Sequence, residues 1–199
     1  MTLSKTDKTK QHIIEKAAPF FNKKGYADTS MSDITAATGL TKGAIYGNFE
    51  NKDELALKVF DYNLSILQQG IEAAVSKKTD AIDKLLAMTD HYRQEYRHVA
   101  GRGGCPVMNA AIEADDNFPA LKTKVKAAIR GWKKRIVEIM ETGKKQRRIH
   151  SRIDAAKYTG VFIALIEGGI MLSKATDDPS HLSNTLERID HIIRTELEI

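Results

Sequence analysis

Thr41, Lys42, Gly43, Tyr46 and Asn48 fall within eight residues of one another. A hydroxyl, an ammonium, a phenol and an amide set that close are hydrogen-bond donors suited to phosphate oxygens and base edges, not to covalent catalysis. Thr41, Lys42 and Tyr46, with Thr29 and Lys52 on either side, are placed to hold phosphates. Lys42 and Asn48 are the expected base readers, Gly43 lets the backbone come close, and Gly47 has no side chain to read with. His91, Glu95 and His98 follow at helical spacing. They could offer a divalent metal three ligands, but no fourth is evident and a solvated charged face explains them, so no metal or other cofactor is expected. Gly101-Arg102-Gly103-Gly104 follows a helical pattern and precedes no Gly-Lys-Ser/Thr, so it reads as a turn and not as a nucleotide loop. Cys105 stands at the start of a helix, where unpaired amides and Arg102 could favour a thiolate, although a buried inert cysteine fits the position as well. No Ser-His-Asp order, His-Glu-x-x-His motif or apolar-face carboxylate pair is present, so catalysis is not expected.

The donors need a scaffold, and residues 31–55 supply one. Met31, Ile34 and Ala37 or Thr38 give one apolar helix face. Gly39 ends that helix, since the turn requires a residue tolerant of positive φ. Thr41 then caps a second helix in which Ile45 and Phe49 alone look fully inward. Two short helices about a glycine turn are a helix-turn-helix, whose second helix enters the DNA major groove.

Residues 9–60 resemble the N-terminal domain of the TetR family of transcriptional regulators. The resemblance rests on Gly25-Tyr26, Thr29-Ser30-Met31, the run from Ile34 through Gly39-Leu40-Thr41-Lys42-Gly43, Ile45-Tyr46, Phe49 and Lys52-Asp53-Glu54-Leu55. Four residues depart from the pattern. Thr35 stands where alanine is usual, Gly47-Asn48 where bulky residues are usual, and Pro19 lies inside the first helix. The resemblance implies a palindromic double-stranded DNA operator, a homodimer and a small-molecule effector held inside a C-terminal helical bundle. Tyr92, Cys105, Met108, Asn109, Trp132 and Phe162 fall on segments that could line such a pocket, with Asn109 as its polar handle. Gly104-Cys105 with Asn109 to Glu113 also resembles a subset of the family in which the cysteine senses electrophiles or oxidants.

Composition agrees. The chain has 199 residues, 42% of them hydrophobic, enough to bury one sizeable core and a small appended domain. The N-terminus lacks the apolar segment of a signal peptide, no uninterrupted apolar run reaches membrane-spanning length, and a single cysteine makes no internal disulfide. A cytoplasmic protein without membrane attachment is expected. The net charge of +5 is uneven: residues 122–152 hold twelve Lys and Arg against two Glu, which reads as a solvated helix face.

Beyond Phe49 the patterns are helical throughout. The expected fold is all-α: a three-helix helix-turn-helix domain over residues 1–50, then a six-helix effector-binding and dimerisation bundle over 51–199. Asn51 and Glu54 should cap the fourth helix, the sixth should end at Asp115-Asp116-Asn117, and Ser151 should cap the eighth. The eighth carries more apolar surface than one core stripe needs. Phe162, Ile166, Gly169 and Ile170 there, with Leu186, Ile189 and Ile193 of the ninth, are expected at a twofold interface. The leading reading is a ligand-responsive dimeric regulator, most simply a repressor. Two alternatives stay open: an all-helical small-molecule-binding protein or enzyme without DNA binding, and an architectural nucleic-acid binder.

Overall fold

A computed structural model describes residues 4–199, without the side chains of residues 115–117. Its helices are α1 (Lys5–Lys24), α2 (Met31–Thr38), α3 (Lys42–Tyr46), α4 (Lys52–Val75), α5 (Ala81–Gly101), α6 (Pro106–Asn117), α7 (Pro119–Lys145), α8 (Ala155–Thr176) and α9 (Ser180–Ile192), and a π-helical turn (Ile193–Leu197) follows. Among the described residues there is no strand, only the isolated bridge between Ile149 and Glu198.

The caps explain most boundaries. Ser30 and Asp33 form a reciprocal capping box at α2, and Lys24 Nζ reaches Asp33 at 2.6 Å. That lysine hydrogen bond first, then those from Ser30, hold the Asp33 carboxyl down to about 2. At α4, Asn51 Oδ1 accepts from Glu54 N at 2.8 Å, whereas Glu54 reaches back to Glu50 N at 2.7 Å instead of to Asn51. α1 contains Pro19, as its pattern placed it. Two boundaries differ from expectation. α6 continues through residues 115–117. α8 is capped by Asp154, not Ser151, through a bond from Lys157 N at 3.1 Å.

The chain forms two compact units, Met1–Ile66 with Pro106–Val125, and Leu67–Cys105 with Lys126–Ile199. In the first, Ile13, Ala17 and Phe21 of α1 pack with Ile34, Ile45 and Phe49, all buried. Burying each large side chain is worth roughly 1.5–3 kcal/mol, which fixes α2 and α3, both too short to be stable alone. α6 belongs to this unit through α1. Asn109 Nδ2 donates to Asn22 O and Oδ1 at 3.0 and 3.1 Å.

In the second unit α8 and α9 pack most extensively. A Cβ on Gly169 would sit 2.3 Å from Thr185 Oγ1 and 3.0 Å from Leu182, so this glycine admits α9 of the same chain. Leu182 N closes the corner by donating to the buried Ser173 hydroxyl. α5 joins α9 through Asp190, which accepts from Thr89 Oγ1 at 2.5 Å and from Arg93 Nη2 at 2.8 Å.

This packing corrects the expected interface residues. Phe162, Ile166, Gly169, Ile170, Leu186, Ile189 and Ile193 are all buried inside the single chain. The large apolar side chains that α8 leaves exposed are Val161, Met171 and Leu172, at 41, 47 and 42%. Gly168, unlike Gly169, faces open space. α8 is also long and apolar enough to cross a membrane by length and composition, once its few charges are tolerated. A third of its most apolar stretch is buried in the protein.

Candidate functional site

Gly39 (φ +70°) takes the left-handed conformation and its N–H donates to Thr35 O at 2.9 Å, closing α2. Thr41 Oγ1 then accepts from Ala44 N at 3.2 Å and starts α3. From α1, a His12 ring nitrogen lies 3.1 Å from Thr38 O, tying the end of α2 down. The hydroxyl of Thr35 donates to Ser32 O, three residues back, and so needs no tertiary partner. Ile45 and Phe49 are buried as expected, and that turns the other side of α3 outward.

Thr41, Lys42, Gly43 and Tyr46 are exposed, and Tyr46 keeps 40% of its surface open. Lys42 Nζ lies 5.8 Å from the Tyr46 ring centre, so ammonium and phenol form one patch. A Cβ at Gly43 would meet nothing within 4 Å, so the backbone there is open to close approach. Gly47 (φ −70°) adopts an ordinary helical conformation and would admit a side chain without strain.

Three expected contact residues are differently engaged. Thr29 is wholly buried and its hydroxyl donates to Gly25 O at 2.6 Å, so it builds the turn before α2 and is out of reach of a phosphate. Lys52 Nζ donates to Ala27 O at 2.7 Å, anchoring α4 to the same turn. Asn48 is half-buried, and its amide donates to Ala44 O at 2.9 Å.

That turn has a support the sequence reading missed. Glu113 of α6 accepts from Tyr26 N at 2.6 Å and from Ala27 N at 3.1 Å. Gly25 (φ +97°) lies so close that a Cβ would sit 2.4 Å from the Glu113 carboxylate. Burial, then the charges of Glu113 and Asp61, push the Tyr26 hydroxyl well above its ordinary value. Glu113 and the turn are more than 80 residues apart in sequence, so no local pattern signals the pairing.

The residues expected at an effector pocket divide. Met108 and Asn109 belong to the first unit, and the Asn109 amide is engaged by Asn22, so it is not the open polar handle expected of it. Tyr92, Cys105, Trp132 and Phe162 belong to the second. Phe162 is core, edge-on to Tyr158. The other three mark a buried polar cluster. The Tyr92 and Trp132 rings are 6.4 Å apart, and the Tyr92 hydroxyl and Trp132 Nε1 are both buried without a hydrogen-bond partner. Both oxygens of Glu167, from α8, are likewise buried and have no N–H or O–H donor. Burial pushes this carboxyl up to about 7, against a hydrogen bond from the Cys105 thiol that lowers it. Burial first, then the nearby Cys105 and Glu167, push the Tyr92 hydroxyl well above its ordinary value. Glu167 was also missed, though it is the one acid between Ala155 and Thr176.

His91, Glu95 and His98 do not converge. His98 Nδ1 is 3.6 Å from Glu95, with its side chain 82% exposed, while the His91 ring covers Gly70 of α4. Among the described residues no group of three or more potential ligands gathers. In the basic segment, Arg135 pairs with Glu72, Lys144 with Glu141, and Arg148 with Asp80 and Glu198. Much of that charge is therefore engaged within the fold.

Comparison with known proteins follows the same division. Residues 13–59 match the family model of bacterial regulatory proteins of the tetR family, and residues 81–189 match that of the tetracyclin repressor-like C-terminal domain. A TetR-family transcriptional regulator from Cytophaga hutchinsonii is similar at 39% identity and a TM-score of 0.92, covering 100% of this chain and 99% of the other. One from Chloroflexus aurantiacus is 33% identical with a TM-score of 0.92, over 99 and 100% of the two chains. The transcriptional repressor DhaR of a Mycobacterium species is 26% identical over 142 residues, 69% of this chain and 70% of DhaR.

Proposed function

The chain belongs to the TetR family of DNA-binding transcriptional regulators, and on that premise we propose that it is a dimeric repressor released from a palindromic operator by a small-molecule effector. The observation that carries this reading is the outward face of α3. Lys42, Gly43 and Tyr46 stand clear of the protein while Ile45 and Phe49 hold the helix against α1 and α2. Lys42 reaches a phosphate or a base edge, Thr41 and Tyr46 add hydroxyl donors, and Gly43 permits close backbone approach. Asn48 reads a base by releasing its bond to Ala44 O, and Lys52 adds charge at the rim. Thr29 acts indirectly, by shaping the turn.

One short helix contacts few bases, so two must be held about 34–36 Å apart, or somewhat more, to meet successive major grooves. The exposed Val161, Met171 and Leu172 with the open Gly168 make α8 the surface for a second copy. The effector binds in the second unit and acts only through its differential affinity for the DNA-competent and released states. In this reading the protein works in the cytoplasm, is not a catalyst, and its domains divide at the start of α4.

Fluorescence anisotropy with DNA from the gene's own upstream region tests the reading. Wild type should bind with a steep salt dependence, and Lys42→Ala with Tyr46→Ala should weaken binding at least tenfold and flatten the slope without loss of helicity. Unchanged binding by the folded double variant would overturn it.

A further inference from the structure

We infer that Glu167, Tyr92 and Trp132 form the charge-reading end of an effector subsite in the second unit, one that takes a hydrophobic organic amine in its protonated form. The inference rests on the reading of that unit as effector-binding and adds the ligand's chemistry. Three polar groups from three different helices are buried there without a nitrogen or oxygen partner: the phenol of Tyr92 (α5), the indole N–H of Trp132 (α7) and both carboxylate oxygens of Glu167 (α8), which only the Cys105 thiol influences by a hydrogen bond. Buried polar groups in folded proteins nearly always have partners, and a cluster of exceptions marks a place completed by something else. A ring contact joins Tyr92 to Trp132, and electrostatic influence joins Tyr92 to Glu167 and Cys105, so these are one neighbourhood.

The nature of the missing partner follows from what is absent. Glu167 presents two acceptors and meets no basic side chain. Four cations on the same helices are engaged elsewhere: Arg93 on Asp90 and Asp190, Lys134 on Glu138, Arg135 on Glu72, and Lys174 on the carbonyl of Gly103. A buried carboxylate is stabilised most by a positive charge that also donates hydrogen bonds, and an alkylammonium does both. The faces of Tyr and Trp attract the same group, and the buried apolar residues of this unit, Leu85, Met88 and Phe162 among them, suit a hydrophobic body. An anionic ligand would face the carboxylate, and a neutral alcohol would satisfy hydrogen bonds without meeting its charge.

Trp132 is the chain's one tryptophan, so its emission reports on this site alone. The full-length protein is titrated at pH 8 with 4-phenylbutylamine, 4-phenylbutanol and 4-phenylbutyrate, three ligands of one shape and three charges. The amine should change Trp132 emission and bind at least tenfold more tightly than the alcohol, with the carboxylate weakest. Glu167→Gln, near-isosteric and checked for helicity, should reduce the amine to the affinity of the alcohol and leave the alcohol unchanged. Equal binding of amine and alcohol by wild type overturns the inference without recourse to any variant, as does a preference that survives Glu167→Gln or an emission unmoved by all three. Amine-selective binding supports the subsite whether or not the operator is released. Release is read separately by anisotropy, and its absence counts against the effector role alone.

Discussion

Replacing Glu167 by glutamine should stabilise the protein, and should do so only at the alkaline end of a defined pH range. Both carboxylate oxygens are buried without an N–H or O–H donor, and burial raises the group from its ordinary 4.5 to about 7. The sign follows from proton uptake. Between these two values the folded state keeps the proton that the unfolded state has lost, so unfolding releases protons and stability falls as pH rises. Below 4.5 both states are protonated, above about 7 both are ionised, and the contribution is flat on either side. At 1.36 kcal/mol per pH unit the full cost is roughly 3 kcal/mol, about 6–12 °C in Tm for a chain of this length. Glutamine has the same shape and never ionises. Urea unfolding of both proteins at pH 5, 6, 7 and 8, at one protomer concentration, should give a difference that grows with pH in favour of Glu167→Gln and levels off near pH 8. A pH-independent difference, or a wild type that gains on the variant as pH rises, would refute the argument.

Three other outcomes follow from the same structure. Glu113→Ala removes a charged acceptor from Tyr26 N and Ala27 N and should cost about 2–4 kcal/mol in thermal or urea unfolding, with operator affinity reduced because the turn ahead of α2 loosens. Met171→Glu with Leu172→Asp, on the exposed side of α8, should give a folded monomer by light scattering and circular dichroism that no longer binds a palindrome, whereas a charge at Ile166 should unfold the chain because that side chain is wholly buried. If Cys105 is the point at which an electrophile acts, a quinone should release wild type from its operator and leave Cys105→Ser bound; equal release from both would remove the cysteine from the mechanism.

The DNA-facing part was the most legible from sequence because its determinants are local. Gly39 and Thr41 mark helix ends by their own backbone and capping chemistry, and the four-residue step from Ile45 to Phe49 determines which side of α3 is left for a ligand. None of this depends on a distant residue. Thr29 shows the limit: its type suits a phosphate, but its place beneath the turn sends the hydroxyl to Gly25 O. On α8 and α9 periodicity identified the apolar surface without saying what covers it. Ile166, Ile170 and Ile189 were equally consistent with a partner subunit and with their own core, and the approach of α9 at Gly169 decided for the core. Glu113 and Glu167 are the plainest cases. One acid reaches a turn more than 80 residues away and the other points into a cluster drawn from three helices. Sequence alone determines the helix-turn-helix boundaries, the helix faces and the family, because these follow from residues within a few turns of one another. Which buried charges find partners is decided only when distant helices pack, since the fate of a carboxylate depends on neighbours that no local pattern specifies.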